Sequence, residues 1–107
     1  MIELSFRKDY LKDLYEGKKV TDRRFKSNPQ LVRQYVKTVG KLKSIEKIEQ
    51  LYQITSLNYE ALVGNRSGYS SVKINDQYRL IFEEVRSEEE PFEVVLLELE
   101  EISNHYA

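Results

Sequence analysis

From Tyr69 to Val85 the chain reads YSSVKINDQYRLIFEEV, and no other stretch limits the possible folds so tightly. Two runs rich in β-branched and aromatic residues flank Asn75-Asp76-Gln77, a turn-forming triplet, which is the pattern of a β-hairpin. The loop length fixes which residues face each other, because a slip of one residue exchanges the two faces of a strand. A two-residue loop would set Val72 on one face with Arg79. A three-residue loop sets Ile74 opposite Tyr78, Val72 opposite Leu80 and Lys73 opposite Arg79, so that apolar residues meet apolar ones. The second register is the expected one. It places two cations side by side, a destabilising arrangement unless an anion sits over both or both extend separately into water.

The elements around this hairpin predict an α+β domain spanning residues 1–107. Residues 1–6, MIELSF, alternate as a strand. Tyr10, Leu11, Leu14 and Tyr15 share one helical face over residues 8–16, and Gly17 can stop that helix. Residues 18–27, polar and basic with weak periodicity, read as a loop. Asn28-Pro29 is a helix start, a capping side chain followed by proline in the first turn. Leu31, Val32, Tyr35, Val36, Val39 and Leu42 then form an apolar stripe. Ser44 is placed to cap a further turn in which Ile45, Ile48, Leu51 and Tyr52 keep the spacing. Residues 53–63 read as an irregular or extended connection with a short helical piece, and Gly64-Asn65-Arg66-Ser67-Gly68 as a turn. After the polar loop Ser87–Pro91, Phe92 to Leu99 reads as a strand whose VVLL core is apolar on both parities. Both its faces are expected to be covered, which makes it central. The whole is a twisted antiparallel sheet of about four strands, with two to three N-terminal helices on one face.

The chain has 107 residues, no cysteine and one histidine. Disulfides, thiolate nucleophiles and thiolate or histidine-rich metal sites are therefore excluded. No apolar run is long enough to span a membrane, and MIELSFRKDY lacks the apolar core of a secretory leader. The net charge is −1, but residues 1–50 hold 13 Lys/Arg against 7 Asp/Glu and the remainder 4 against 11. That asymmetry is compatible either with two solvated faces of opposite sign or with a basic face inside a neutral total. Lys18, Lys19, Arg23, Arg24 and Lys26 are candidates for such a face.

Nothing in the chain has the spacing of a Ser-His-Asp set or a phosphate-binding glycine loop. What remains is His105 near the C-terminus, eight tyrosines and a few arginines in the strand region. These residue types suffice for cleavage of RNA by its own 2′-hydroxyl. Imidazole can carry the proton, arginine can hold the phosphate oxygens in its fork, and tyrosine can stack on a base. The same composition also suits a chain in which His105 is a spectator.

The segments EALVGNRSGYSSVKINDQYRLIF and VVLLELEEISNHY, with the order of elements, resemble the RelE/HigB superfamily of type II toxins, closest to the HigB branch. The hairpin pattern is carried by Leu62, Gly64, Asn65, Arg66, Ser71, Val72, Lys73, Ile74, Asn75, Tyr78, Arg79, Leu80 and Phe82. The resemblance implies a cytoplasmic, metal-free endoribonuclease that needs no cofactor and cuts mRNA on the ribosome. A neighbouring antitoxin, a helix-turn-helix protein of HigA type, would restrain it. By the same resemblance Arg79 would contact the scissile phosphate, with Arg66 and Lys73 as basic residues near the substrate. His105 would be general acid or base, and Tyr106 and Tyr69 would orient or stack on bases. Glu60 stands where several HigB relatives have histidine, a candidate replacement base, and Val63 where they often have lysine. Two other readings fit the same fold: a DNA gyrase inhibitor of ParE type, and an antitoxin-binding module without catalysis.

Overall fold

A computed structural model describes residues 2–104. Its sheet has five strands, β1 (Glu3–Phe6), β2 (Glu60–Ala61), β3 (Tyr69–Lys73), β4 (Arg79–Arg86) and β5 (Val94–Ser103), in the order β1-β5-β4-β3-β2. The expectation of about four antiparallel strands is corrected in two ways. Residues 60–61 add a short edge strand, and β1 pairs parallel to β5, with Leu4 opposite Leu97 and Phe6 opposite Leu99. The parallel pair follows from chain path. The helical segment carries the chain from one edge of the sheet to the other, and each later strand then reverses the one before it. The last strand therefore arrives beside the first, running the same way.

Three helices cover one face: α1 (Asp9–Glu16), α2 (Arg23–Lys26) and α3 (Pro29–Ser44). Asn28 Oδ1 accepts the Leu31 amide at 3.2 Å, satisfying one of the orphan donors of the first turn of α3. Leu31, Tyr35, Val39 and Leu42 from its stripe are buried against Val72, Leu80, Phe82 and Leu99 of the sheet. The Tyr35 hydroxyl donates to the Leu11 carbonyl at 2.7 Å, joining α3 to α1. Burial pushes that phenol well above its ordinary pKa. Gly17 ends α1 in the left-handed conformation at φ 81°, which glycine adopts at no steric cost.

Residues 18–27 are not loop throughout. The Asp22 carboxylate accepts the Arg24 amide at 2.9 Å and starts α2, which buries Phe25; a local cap outweighs weak periodicity. Ser44 does not cap the next turn. Its hydroxyl donates back to the Lys41 carbonyl at 2.7 Å. The 3₁₀ turn Ile48–Gln53 begins instead with the Gln50 side chain accepting the amides of Glu46 and Lys47 at 2.7 and 3.2 Å. Ile45 and Leu51 are buried there, whereas Tyr52 is 67% exposed.

The hairpin has the three-residue loop. The Ile74 amide donates to the Tyr78 carbonyl at 2.9 Å, and Asn75 Oδ1 accepts the amides of Gln77 and Tyr78, each at 2.8 Å. Val72 lies opposite Leu80 and Lys73 opposite Arg79. The last strand starts and ends later than Phe92–Leu99. It lies between β1 and β4, inside the sheet, but the VVLL segment is not covered on both faces: Val94 and Leu97 are buried while Val95 is 41% exposed. Phe92 precedes the strand and is exposed. Ile81 pairs with Glu101 but Phe82 with Leu99, so Glu100 is an extra residue at a β-bulge. The bulge lets the consecutive residues Glu100 and Glu101 both serve the sheet face opposite the helices, here termed the open face.

Candidate functional site

Side chains alternate along strands, so the register assigns the open face without further assumption. It carries Tyr69, Ser71 and Lys73 of β3, Arg79, Ile81 and Glu83 of β4, and Glu98, Glu101 and Ser103 of β5, with Glu60 of β2 beside Ser71. Four of the residues proposed from sequence, Glu60, Tyr69, Lys73 and Arg79, thus lie on one surface. Arg66, from the loop before β3, reaches the same surface by an ion pair to Glu101 at 2.6 Å. His105 and Tyr106 lie outside the described residues.

Arg79 is the best-anchored of these groups. Its Nε donates to Ser71 Oγ at 2.8 Å, and a terminal nitrogen donates to the Ser71 carbonyl at 3.2 Å and to the Asn58 carbonyl. The same nitrogen stands 3.8 Å from the Glu60 carboxylate. Arg79 is only 2% exposed, so it does not extend into solvent beside Lys73. The like-charge pair is resolved by divergence. Arg79 turns across β3 toward Glu60, and Lys73 turns the other way to Asp76 of the hairpin loop at 2.8 Å. Lys73 in turn holds the Asp76 carboxyl below its ordinary pKa, through their hydrogen bond first and then through simple attraction.

Arg7 was not singled out from sequence. It follows β1 and reaches over the open face, where its guanidinium pairs with Glu83, with Glu98 at 3.2 Å and with Glu100 at 3.4 Å. It also donates to the Tyr69 hydroxyl at 2.7 Å and lies 5.7 Å from the Tyr69 ring centre. Its bonds to Glu98 and Glu83 push its pKa further up. The signal for it was parity: Arg7 continues the Glu3, Ser5 series of β1. That series became informative only once β1 was known to lie beside β5. Ser71 and Asn58, which hold Arg79, were also missed. Asn58 sits in the left-handed region at φ 44°, a backbone state no pattern in 53–63 announces.

The proposed basic face is only partly assembled. Arg24 is committed to Asp22 at 3.0 Å and to the Ile102 carbonyl at 2.7 Å, which fixes α2 at the end of β5. Lys18 pairs with Glu16 at 3.2 Å. The site is thus a set of arginines and lysine on one sheet face, each with a carboxylate in reach. On that face the Arg79 guanidinium and the Glu60 carboxylate stand 3.8 Å apart.

A mixed α+β sheet with N-terminal helices on one face and a polar open face is the RelE-like architecture. The family of HigB-like toxins, described as the RelE-like toxin of the type II toxin-antitoxin system HigB, matches residues 4–92. The chain belongs to that family, within the RelE/ParE superfamily of toxins. The match stops before β5 and the tail that carries His105. Solved structures share the fold at low identity. A YoeB/ParE toxin from Agrobacterium tumefaciens is 18% identical with a TM-score of 0.52, covering 98% of this chain and 100% of that one. The YoeB dimer from Staphylococcus aureus is 19% identical with a TM-score of 0.53, covering 98% of each chain. YafQ from E. coli strain BL21(DE3) is 14% identical with a TM-score of 0.52, covering 98% and 94%. No curated protein matches the sequence. Among the described residues, no helix is long and apolar enough to cross a membrane.

Proposed function

We propose that the protein is the toxin of a type II system acting as a metal-free endoribonuclease on ribosome-bound mRNA. The observation that carries this is the Arg79–Glu60 contact of 3.8 Å on the open face. In the reaction, the 2′-hydroxyl loses its proton to a general base and its oxygen attacks the adjacent phosphorus. The bond to the 5′-oxygen breaks, that oxygen takes a proton from a general acid, and a 2′,3′-cyclic phosphate remains. Arg79 stabilises charge on the phosphate oxygens. Arg66 and Lys73 hold neighbouring phosphates, and Tyr69 stacks on a base. Glu60 and His105 divide the two proton transfers, with Tyr106 orienting the substrate. Ser103, two positions before His105 in the sequence, pairs with Arg79 across β4 and β5. An antitoxin of helix-turn-helix type would be the restraining partner; a YoeB-YefM toxin-antitoxin complex from Staphylococcus aureus has the same fold in its toxin.

The test is 5′-end mapping of mRNA on programmed ribosomes with purified protein, alongside Glu60→Gln, His105→Ala and Arg79→Lys. Cleavage leaving cyclic phosphate ends, lost or at least a hundred-fold slower in His105→Ala, is expected. Full cleavage by all three variants overturns the assignment. A second reading has its own observation: Arg79 is buried and the other open-face cations are already paired with carboxylates. That arrangement suits a toxin that binds a protein target such as DNA gyrase without doing chemistry. Growth arrest with DNA damage and filamentation, rather than an early stop in translation, would favour it.

A further inference from the structure

The loop joining β2 to β3 spans residues 62–68. Its tight turn lies between two left-handed glycines, Gly64 at φ 70° and Gly68 at φ 94°. A Cβ added to either would have no neighbour within 4 Å, so glycine serves backbone freedom here rather than space. The Leu62 amide bonds the Tyr69 carbonyl at 2.9 Å and the Ser67 amide the Gly64 carbonyl at 3.0 Å; both bonds close within the loop and its first strand residue. From the loop Arg66 passes over β3 and β4 to reach Glu101 on β5 at 2.6 Å. Glu101 is the partner of Ile81 across β4 and β5. Ile81 is buried although it faces away from the helices and stands apart from the core beneath them.

The pair is well placed to exchange partners. Its side chains are 49% and 27% exposed, and ion pairs of such exposure are weak and sensitive to salt. A carboxylate and a phosphodiester occupy a guanidinium fork in the same way. We infer that Arg66 and Glu101 form a clasp: it holds the 62–68 loop closed across the open face in the free protein, and a phosphodiester of single-stranded RNA opens it by taking the place of Glu101 on Arg66. Glu101, left beside the incoming phosphate, repels it, so the closed and open arrangements exclude each other. The identity of the ligand rests on the nuclease reading proposed above; the closed loop does not.

Glu101→Gln removes the charge without changing shape. Trypsin should cut after Arg66 faster in this variant, and amides of residues 64–68 should exchange faster. A short fluorescein-labelled single-stranded RNA should bind about five-fold tighter, the upper range for an exposed ion pair. Arg66→Ala combined with Glu101→Gln should lose the gain, and Arg66→Glu with Glu101→Arg should restore slow exchange in the loop. Unchanged trypsin cleavage and exchange in Glu101→Gln, or weaker RNA binding, overturns the clasp. An opened loop with no RNA binding by either protein overturns the ligand while the closed loop stands, and the nuclease reading is decided separately by cleavage on programmed ribosomes.

Discussion

Arg79 is a charged side chain almost wholly out of solvent, and its neighbours account for its tolerance there. Ser71 and Asn58 take its donors and Glu60 lies at 3.8 Å; burial of a charge is tolerable when it is both hydrogen-bonded and near an opposite charge. Lysine keeps the charge but not the planar fork. Arg79→Lys should therefore lose about 1–3 kcal/mol through unpaired acceptors at Ser71 and Asn58, read as a lower urea midpoint with unchanged slope. Lys73→Ala, whose partner Asp76 is at the exposed loop, should leave the midpoint unchanged within error. The hairpin sequence showed that Lys73 and Arg79 are neighbours. It did not show that Arg79 turns across β3, because that depends on the Asn58 turn, 21 residues away in the chain. The pairing of Arg7 with Tyr69 was invisible for the same reason: 62 residues separate them.

Elements with local causes were legible. The Asn28 cap, the α3 stripe and the hairpin register all rest on residues within one turn or one loop of each other, and the structure has each of them. The shortest helix escaped because four residues give no period to read; its cause is a single carboxylate. Arg24 holds the Asp22 carboxyl below its ordinary pKa, chiefly by side-chain hydrogen bonds. A carboxyl with a lowered folded-state pKa adds stability that is complete above the unfolded value, near 3.9, and fades as pH falls through the folded one. Asp22→Asn, which keeps a capping oxygen but not the charge, should thus lower thermal stability at pH 7, where the charge contributes in full, and converge with the parent as pH falls below about 4. Asp22→Ala should cost about 1 kcal/mol at pH 7 through the lost cap. Thermal melts across pH 2.5–7, in steps that bracket 3.9, distinguish the two variants.

At the scale of the molecule, the N- and C-terminal strands share one ladder. Removing residues 2–7 takes away the pairing of β1 with β5 and the Arg7 anchor of Glu83, Glu98 and Glu100. Those carboxylates would then face one another unscreened. The truncated chain should lose its folded far-UV circular dichroism or its NMR dispersion, whereas a mere fraying of an end would leave both. The charge asymmetry between the two halves of the sequence is resolved at this scale too. Arg7, from the basic half, lies among the acidic residues of β4 and β5, so the asymmetry is partly neutralised by folding rather than displayed as one basic face. By itself, the sequence determined the α+β class, the helix start at Asn28 and the facing pairs of the hairpin, since periodicity, caps and turn chemistry act over a few residues. It also carried the pattern that places the chain among HigB-like toxins. Only the tertiary structure decided that β1 joins β5 in parallel, that Arg79 is buried beside Glu60, and that Arg66 closes onto Glu101. Each of those depends on contacts between residues far apart in the chain, whose direction is set by sheet order and by a bulge that no local pattern encodes.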